Sequence, residues 1–200
     1  MESKACPVPF TEVNNIHSMT ELPSKELIIE ETQKWVEDFV IGYNICPFAA
    51  KVLNNIHYSI FENTNIDFEN YFLQILIVLD ENTNIKTSLL IIPNNVDDFY
   101  TYLDLVELAE SIITSHNYEG TYQVASFHPN YIFENSKEDD PANFTNRSPY
   151  PMLHLIREES ISEAIETYGD TDQIPKNNIK LMNEIGYDKL KTALKKKEWF

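Results

Sequence analysis

Short apolar runs that alternate with helix-period segments, in a composition rich enough in apolar residues to fill one core, together predict an α/β fold. The chain has 200 residues, 42% of them hydrophobic and 12% aromatic, which suffices for a sizeable core and is short enough for one domain. Strands that alternate with crossover helices imply a sheet that is at least partly parallel and covered by helices. The expected architecture is therefore α/β, with α+β as the alternative. It has about four strands in a mixed sheet, helices over it, a ferredoxin-like strand order, and further helices at the C-terminus. The domain is expected over 24–200, after a loosely attached arm, 1–23, that holds Pro7, Pro9 and Pro23 among polar residues.

Each element follows from spacing and punctuation. Ile28, Trp35, Val36, Phe39, Val40 and Tyr43 recur at helical intervals behind Ser24, a residue suited to an N-cap, with Gly42 near the end. Cys46-Pro47-Phe48 predicts a second, short helix to about Leu53, with Pro47 at its first position and Cys46 at its N-cap. A strand is expected from His57 to Phe61, then a helix on the face Phe68, Tyr71, Phe72, Ile75, Leu76 and Leu79. Ser88 to Ile92 reads as a strand that Pro93-Asn94-Asn95 ends, and Phe99, Leu103, Val106 and Ile113 mark a helix to about Ser115. Tyr122 to Phe127 is the next strand. More than twenty residues without periodicity follow, a length that in a compact domain signals function or disorder. Met152 to Arg157 resumes as a strand, Ser160 to Glu163 is a capping box for a helix to Tyr168, Pro175 and Gly186 bracket another, and a basic amphipathic helix from Asp188 to Lys197 closes the chain.

Composition removes several function classes. A formal charge of -17 opposes nucleic-acid binding, which depends on Lys and Arg displacing counterions from phosphates. The same charge keeps copies of the protein apart in solution. Two cysteines, Cys6 and Cys46, make no disulfide framework, and the first 23 residues carry Glu2, Glu12 and Glu21 without an apolar core. A reducing, cytoplasmic location is therefore expected, with no secretory signal and no membrane span. The four glycines, Gly42, Gly120, Gly169 and Gly186, lie far apart, so neither glycine-rich phosphate cradle can form, and no G-x-S-x-G elbow exists.

Candidate chemistry gathers in the aperiodic stretch. Tyr122-Gln123-Val124-Ala125-Ser126-Phe127-His128-Pro129 leads to Asp139-Asp140-Pro141-Ala142-Asn143-Phe144-Thr145-Asn146-Arg147-Ser148-Pro149-Tyr150-Pro151 and then Leu153-His154-Leu155-Ile156-Arg157-Glu158. With Asn44-Ile45-Cys46-Pro47-Phe48-Ala49 upstream, these strings resemble the signature segments of an uncharacterised bacterial family, domain of unknown function 1415 (DUF1415), from about residue 27 to the C-terminus. The resemblance implies a shared fold and site and no particular reaction.

Three chemical readings remain open for the residues themselves. His128, His154 and a carboxylate from Asp139 or Asp140 supply the ligand types of a two-histidine, one-carboxylate centre for a divalent ion such as zinc or iron; otherwise His154 is a hydrogen-bonded core residue and His128 caps its strand. Cys46 at a helix N-terminus would gain thiolate character from the dipole and act as a nucleophile beside an imidazole, against its being a buried, inert thiol; its pairing with Pro47 is also met at thiolate-bound haem. Arg147, with Asn143, Asn146, Tyr150 and Arg157, could clamp a carboxylate or phosphate of a small ligand, or Arg147 could pair with Asp139 or Asp140 and pin the loop closed. Gln123 and Ser126 fall on opposite strand faces, so at most one joins the site. His17, His57 and His116 stand apart, and Lys195-Lys196-Lys197 reads as a solvated helix end.

The loop holds Tyr131, Phe133, Phe144 and Tyr150 and is stiffened by Pro129, Pro141, Pro149 and Pro151, which points to an ordered cover over a pocket. The leading expectation is an enzyme for a small anionic metabolite, with His128 and His154 as metal ligands or acid/base groups, Asp140 as third ligand and Arg147 as anion clamp. The alternatives are a non-catalytic ligand- or protein-binding module, marked by an exposed apolar patch beside the loop and widely separated histidines, and a thiol enzyme that uses Cys46.

Overall fold

The computed structural model describes residues 23–62, 67–94, 96, 98–168 and 170–198. The expected arm through Leu22, with Cys6 and His17, lies outside the described residues, as do Asn95 and Gly169. Helix α1, Lys25–Lys34, starts where Ser24 accepts a hydrogen bond from the Leu27 amide at 3.3 Å, the capping geometry that serine favours. It continues into a π-helical segment, Trp35–Ile41, which closes with the Gly42 amide donating to the Glu37 carbonyl at 3.0 Å. The wider turn forces glycine at its end. A Cβ on Gly42 would lie 2.2 Å from the Asp38 carbonyl oxygen, inside any tolerable contact.

The extra residue absorbed by that segment delays the next helix. Turns occupy 42–48 and α2 spans only Ala49–Val52, followed by a 3-10 turn, Leu53–Asn55. Pro47 does not open the helix and Cys46 is not its N-cap, contrary to the expectation from Cys-Pro spacing. Strand β1 is Ile56–Ile60, α3 Phe68–Glu81, β2 Thr87–Ile91, α4 Phe99–Ser115 and β3 Tyr122–Phe127. After the long loop, with a 3-10 turn at Pro141–Thr145, come β4, Met152–Arg157, α5, Glu158–Tyr168, α6, Gln173–Ile185, and α7, Tyr187–Lys196. Helix α5 grows straight out of β4 two residues before the capping box at Ser160, and Pro175 sits in the first turn of α6, where a missing amide costs nothing.

The sheet order is β1-β2-β4-β3, with β1 parallel to β2 and β4 antiparallel to both β2 and β3. A ferredoxin-like arrangement needs a helix between its third and fourth strands; here the loop joins β3 to β4 directly, and β4 enters between β2 and β3. The α/β expectation therefore stands as a mixed four-stranded sheet with covering helices, without the ferredoxin-like order.

Strand alternation divides the core in two. Leu90, Leu153, Leu155, Tyr122 and Val124 meet Phe72, Leu76 and Leu79 of α3 and Tyr102 and Ile112 of α4. Leu89, Ile91, Met152 and Phe127, on the other face, meet Ile28, Trp35 and Phe39, with Met182, Leu190 and Ala193 of α6 and α7. Each large apolar side chain so buried stabilises the fold by roughly 1.5–3 kcal/mol. Among the described residues no helix is long and apolar enough to cross a membrane.

Candidate functional site

The loop at 128–151 folds back on itself, and its polar groups bind one another. His128, 1% exposed, donates from Nε2 to the Val96 carbonyl at 2.9 Å and accepts at Nδ1 from the Asn130 amide at 3.0 Å. Its ring packs on Phe99 and Tyr102, with centroids 5.3 and 5.0 Å away. Asp140 caps the 3-10 turn, accepting from the Ala142 amide at 2.9 Å and from Ser136 Oγ at 3.1 Å. Fully buried Asn143 accepts from the Phe133 amide at 3.0 Å and donates to the Lys137 carbonyl at 2.7 Å. Asn146 donates to the Ser126 carbonyl at 3.2 Å and accepts from Thr145 Oγ1 at the same length.

Arg147 is buried and donates Nε to the Tyr131 carbonyl at 3.1 Å and Nη2 to the Glu138 carbonyl at 2.8 Å, with its guanidinium 4.5 Å from the Phe144 ring centre. Burial lowers its pKa, and the neighbouring Tyr187 hydroxyl acts in the opposite sense. Arginine thus pins the loop, as one reading of the sequence expects, but these contacts run to backbone carbonyls and not to Asp139 or Asp140. Tyr150 donates to Glu31, and Lys197 Nζ bridges Glu31 at 2.6 Å and the Tyr150 hydroxyl at 2.7 Å. This triad ties the loop to α1 and to the end of α7.

His154 belongs to another environment. It pairs with Leu89 and Ala125 across the sheet and lies 6.2 Å from the Phe127 ring, on the face of α1, α6 and α7. His128, one residue past Phe127, turns to the α4 face. The two imidazoles are on opposite sides of the sheet, so His128, His154 and Asp140 do not converge as ligands of one ion. No group of three or more His, Cys, Asp and Glu side chains with metal-binding geometry occurs among the described residues. Thr87 Oγ1 donates to the Leu155 carbonyl at 2.6 Å and therefore accepts from His154 Nε2, also at 2.6 Å. Loss of hydration pushes the His154 pKa down to about 4, which keeps the ring neutral near neutral pH.

Arg157 is at the far end of β4 from the loop. It donates to the Tyr122 hydroxyl at 2.8 Å and to the Ile85 and Leu79 carbonyls, closing the C-terminal end of α3; Tyr122 in turn donates to Asp80 at 2.6 Å. It cannot share a ligand with Arg147. Cys46 is a partly buried free thiol, and no hydrogen bond or ring contact links it to a histidine among the described residues. The backbone carbonyl of its neighbour Ile45 accepts from Asn178 of α6 at 2.8 Å.

Two hollows flank these residues. One, of about 530 Å³, opens between Asp139 and the α6–α7 junction at Gly186, Tyr187, Asp188 and Lys189; carboxylates line it together with the lysine, so it carries no coherent charge for an anion. The other, of about 370 Å³, runs along β1 between Lys25 and Ile29 of α1 and Tyr71, Gln74 and Val78 of α3. Sequence reasoning misses the second, because periodicity does not tell which strand ends at an edge. Tyr58 lines this hollow, and its hydroxyl is buried without a hydrogen-bond partner among the described residues; burial, helped by the charge of Glu37, pushes its pKa up to about 12. Exposed large apolar side chains are scattered over the helices, at Leu27 on α1, Ile77 and Val78 on α3, Tyr100 and Leu108 on α4, Ile165 on α5 and Ile179 on α6, and of these Val78 lines the second hollow.

A family model described as a protein of unknown function (DUF1415) matches residues 27–192. No curated protein and no solved structure matches the chain.

Proposed function

The chain belongs to the DUF1415 family of proteins of unknown function, and from the geometry above we propose that it is a non-catalytic protein-binding module whose polar loop is part of the scaffold. One observation carries this reading: the loop side chains suited to chemistry, His128, Asp140, Asn143, Asn146 and Arg147, already spend their donors and acceptors on the loop and its neighbours. An active centre needs such groups aimed at a place where a reacting atom can sit. The separation of the two histidines supports the same reading. With a charge of -17, the partner class is protein and not nucleic acid. We place the protein in the cytoplasm, where Cys46 stays a free thiol.

The competing reading, an enzyme for a small anionic metabolite with a divalent zinc or iron ion, is tested by thermal melting of the purified chain. The melts are run with a panel of phosphorylated and carboxylated metabolites, and with zinc and iron(II). No saturable rise in melting temperature is expected. A saturable rise that Arg147→Lys or His128→Gln abolishes, without lowering the melting temperature of the ligand-free protein, overturns the binding-module reading.

A further inference from the structure

The hollow beside β1 lies along an open sheet edge. Among the described strands β1 pairs with β2 alone. Two bonds bracket that parallel ladder: Lys86 donates to the Asn55 carbonyl and Phe61 to the Ile91 carbonyl, each at 2.9 Å. In a parallel pair alternate residues turn both backbone groups to the neighbour. Residues 55, 57, 59 and 61 therefore face β2, and Ile56, Tyr58 and Ile60 present theirs to the outside. The Ile60 carbonyl is met by the Tyr71 hydroxyl at 2.9 Å. Apart from that carbonyl, the row offers main-chain groups that no other described strand pairs, set between two helix walls.

Those walls define what fits. Ile29 on one side and Val78 on the other offer apolar contact to the side chains of an added strand, and Val78 is 37% exposed. Lys25 is neutralised by Glu62 at 2.6 Å. Exposed Glu26 and Glu30 follow Lys25 on α1, and exposed Glu81 lies three residues beyond Val78 on α3, so the surroundings of the groove share the sign of the whole chain. We propose that the open edge of β1 takes an extended, basic segment of a partner protein as an added strand. Its main chain pairs with Ile56 and Tyr58, its apolar side chains lie on Ile29 and Val78, and its cations face the surrounding carboxylates. This is strand addition, in which main-chain bonds give affinity and the walls and charge give selection. The net charge of -17 disfavours a second copy of the same chain in that place.

The inference rests on the binding-module reading and has its own test. A phage-displayed library of random peptides of about nine residues, long enough to cover one strand, is selected on the full chain. The selected sequence is then synthesised and its affinity is measured by fluorescence anisotropy. Tyr58→Pro removes an outward amide and leaves the bonds to β2 in place, a position where an edge strand tolerates proline; Val78→Lys, on an exposed helix position, puts a like charge in the wall. The expected result is a basic peptide with alternating apolar residues, which loses affinity by about tenfold or more in each variant and with rising salt. Should Tyr58→Pro melt early, Val78→Lys alone decides. A selected peptide that binds both variants as it binds the parent overturns the β1 site and leaves the binding-module reading standing. Failure to select any peptide overturns the β1 site, while the metabolite and metal melts judge the broader reading separately.

Discussion

Replacing Arg147 by methionine separates a scaffold role from a ligand-clamping role. Methionine keeps an unbranched stem on the Phe144 ring but loses the donors to the Tyr131 and Glu138 carbonyls, now 3.1 and 2.8 Å long. Glu138 is exposed and its carbonyl regains water, whereas Tyr131 is partly buried and its carbonyl is harder to rehydrate. A charge-assisted bond contributes about 1.5–3 kcal/mol and an orphaned buried acceptor costs about 1–3 kcal/mol. The net destabilisation is thus about 2–4 kcal/mol, which for a chain of this size lowers the melting temperature by about 5–15 °C. Urea titration with an unchanged slope measures it. If the arginine were kept for an anion, its removal would relieve a buried charge and leave stability equal or higher; an Arg147→Met protein as stable as the parent refutes the reasoning.

Acid should weaken the fold through His154. Its pKa is about 4 in the native state against 6.5 for the free group, so the unfolded chain binds the additional proton between those values, and stability, full above pH 6.5, falls as pH drops towards 4. The loss is about 3 kcal/mol once pH is below both. The difference between parent and His154→Gln in urea titrations across that range isolates it from the carboxylates, and equal pH slopes in the two proteins contradict it. Gly42→Ala should destabilise by about 1–3 kcal/mol because the backbone must retreat from the Asp38 oxygen. A helical glycine with free space would gain stability from the same change, so the sign of the shift in the urea midpoint decides.

Much of the layering can be read from the chain. Phe72, Leu76 and Leu79 share one helical face, and the runs at 87–91 and 152–157 mark strands whatever their partners are. Strand order cannot be read, because whether β4 lies outside β3 or between β3 and β2 depends on which edge offers the larger apolar surface. The site suffers from the same gap. His128 and His154 look like neighbours across a returning loop, but the register pairs His154 with Ala125. His128 is three positions beyond Ala125, an odd offset that puts the two rings on opposite faces. The place of Cys46 is hidden because the π-helical segment at Trp35–Ile41 consumes an extra residue, which hydrophobic spacing does not register. Arg147 and Asn143 stand out in the sequence as a polar cluster; their partners are backbone carbonyls and amides, which no residue pattern displays.

Native-state hydrogen exchange at two loop amides bears hardest on the account. The Phe133 amide donates to the Asn143 side chain at 3.0 Å and the His128 amide to the Asn146 carbonyl at 3.2 Å. If the loop is scaffold, both exchange through global unfolding, as slowly as the amide of Leu90 in β2 and with the same dependence on denaturant. Exchange orders of magnitude faster than Leu90, insensitive to low denaturant, would mean that the loop opens on its own and that its polar residues are held for something other than the fold.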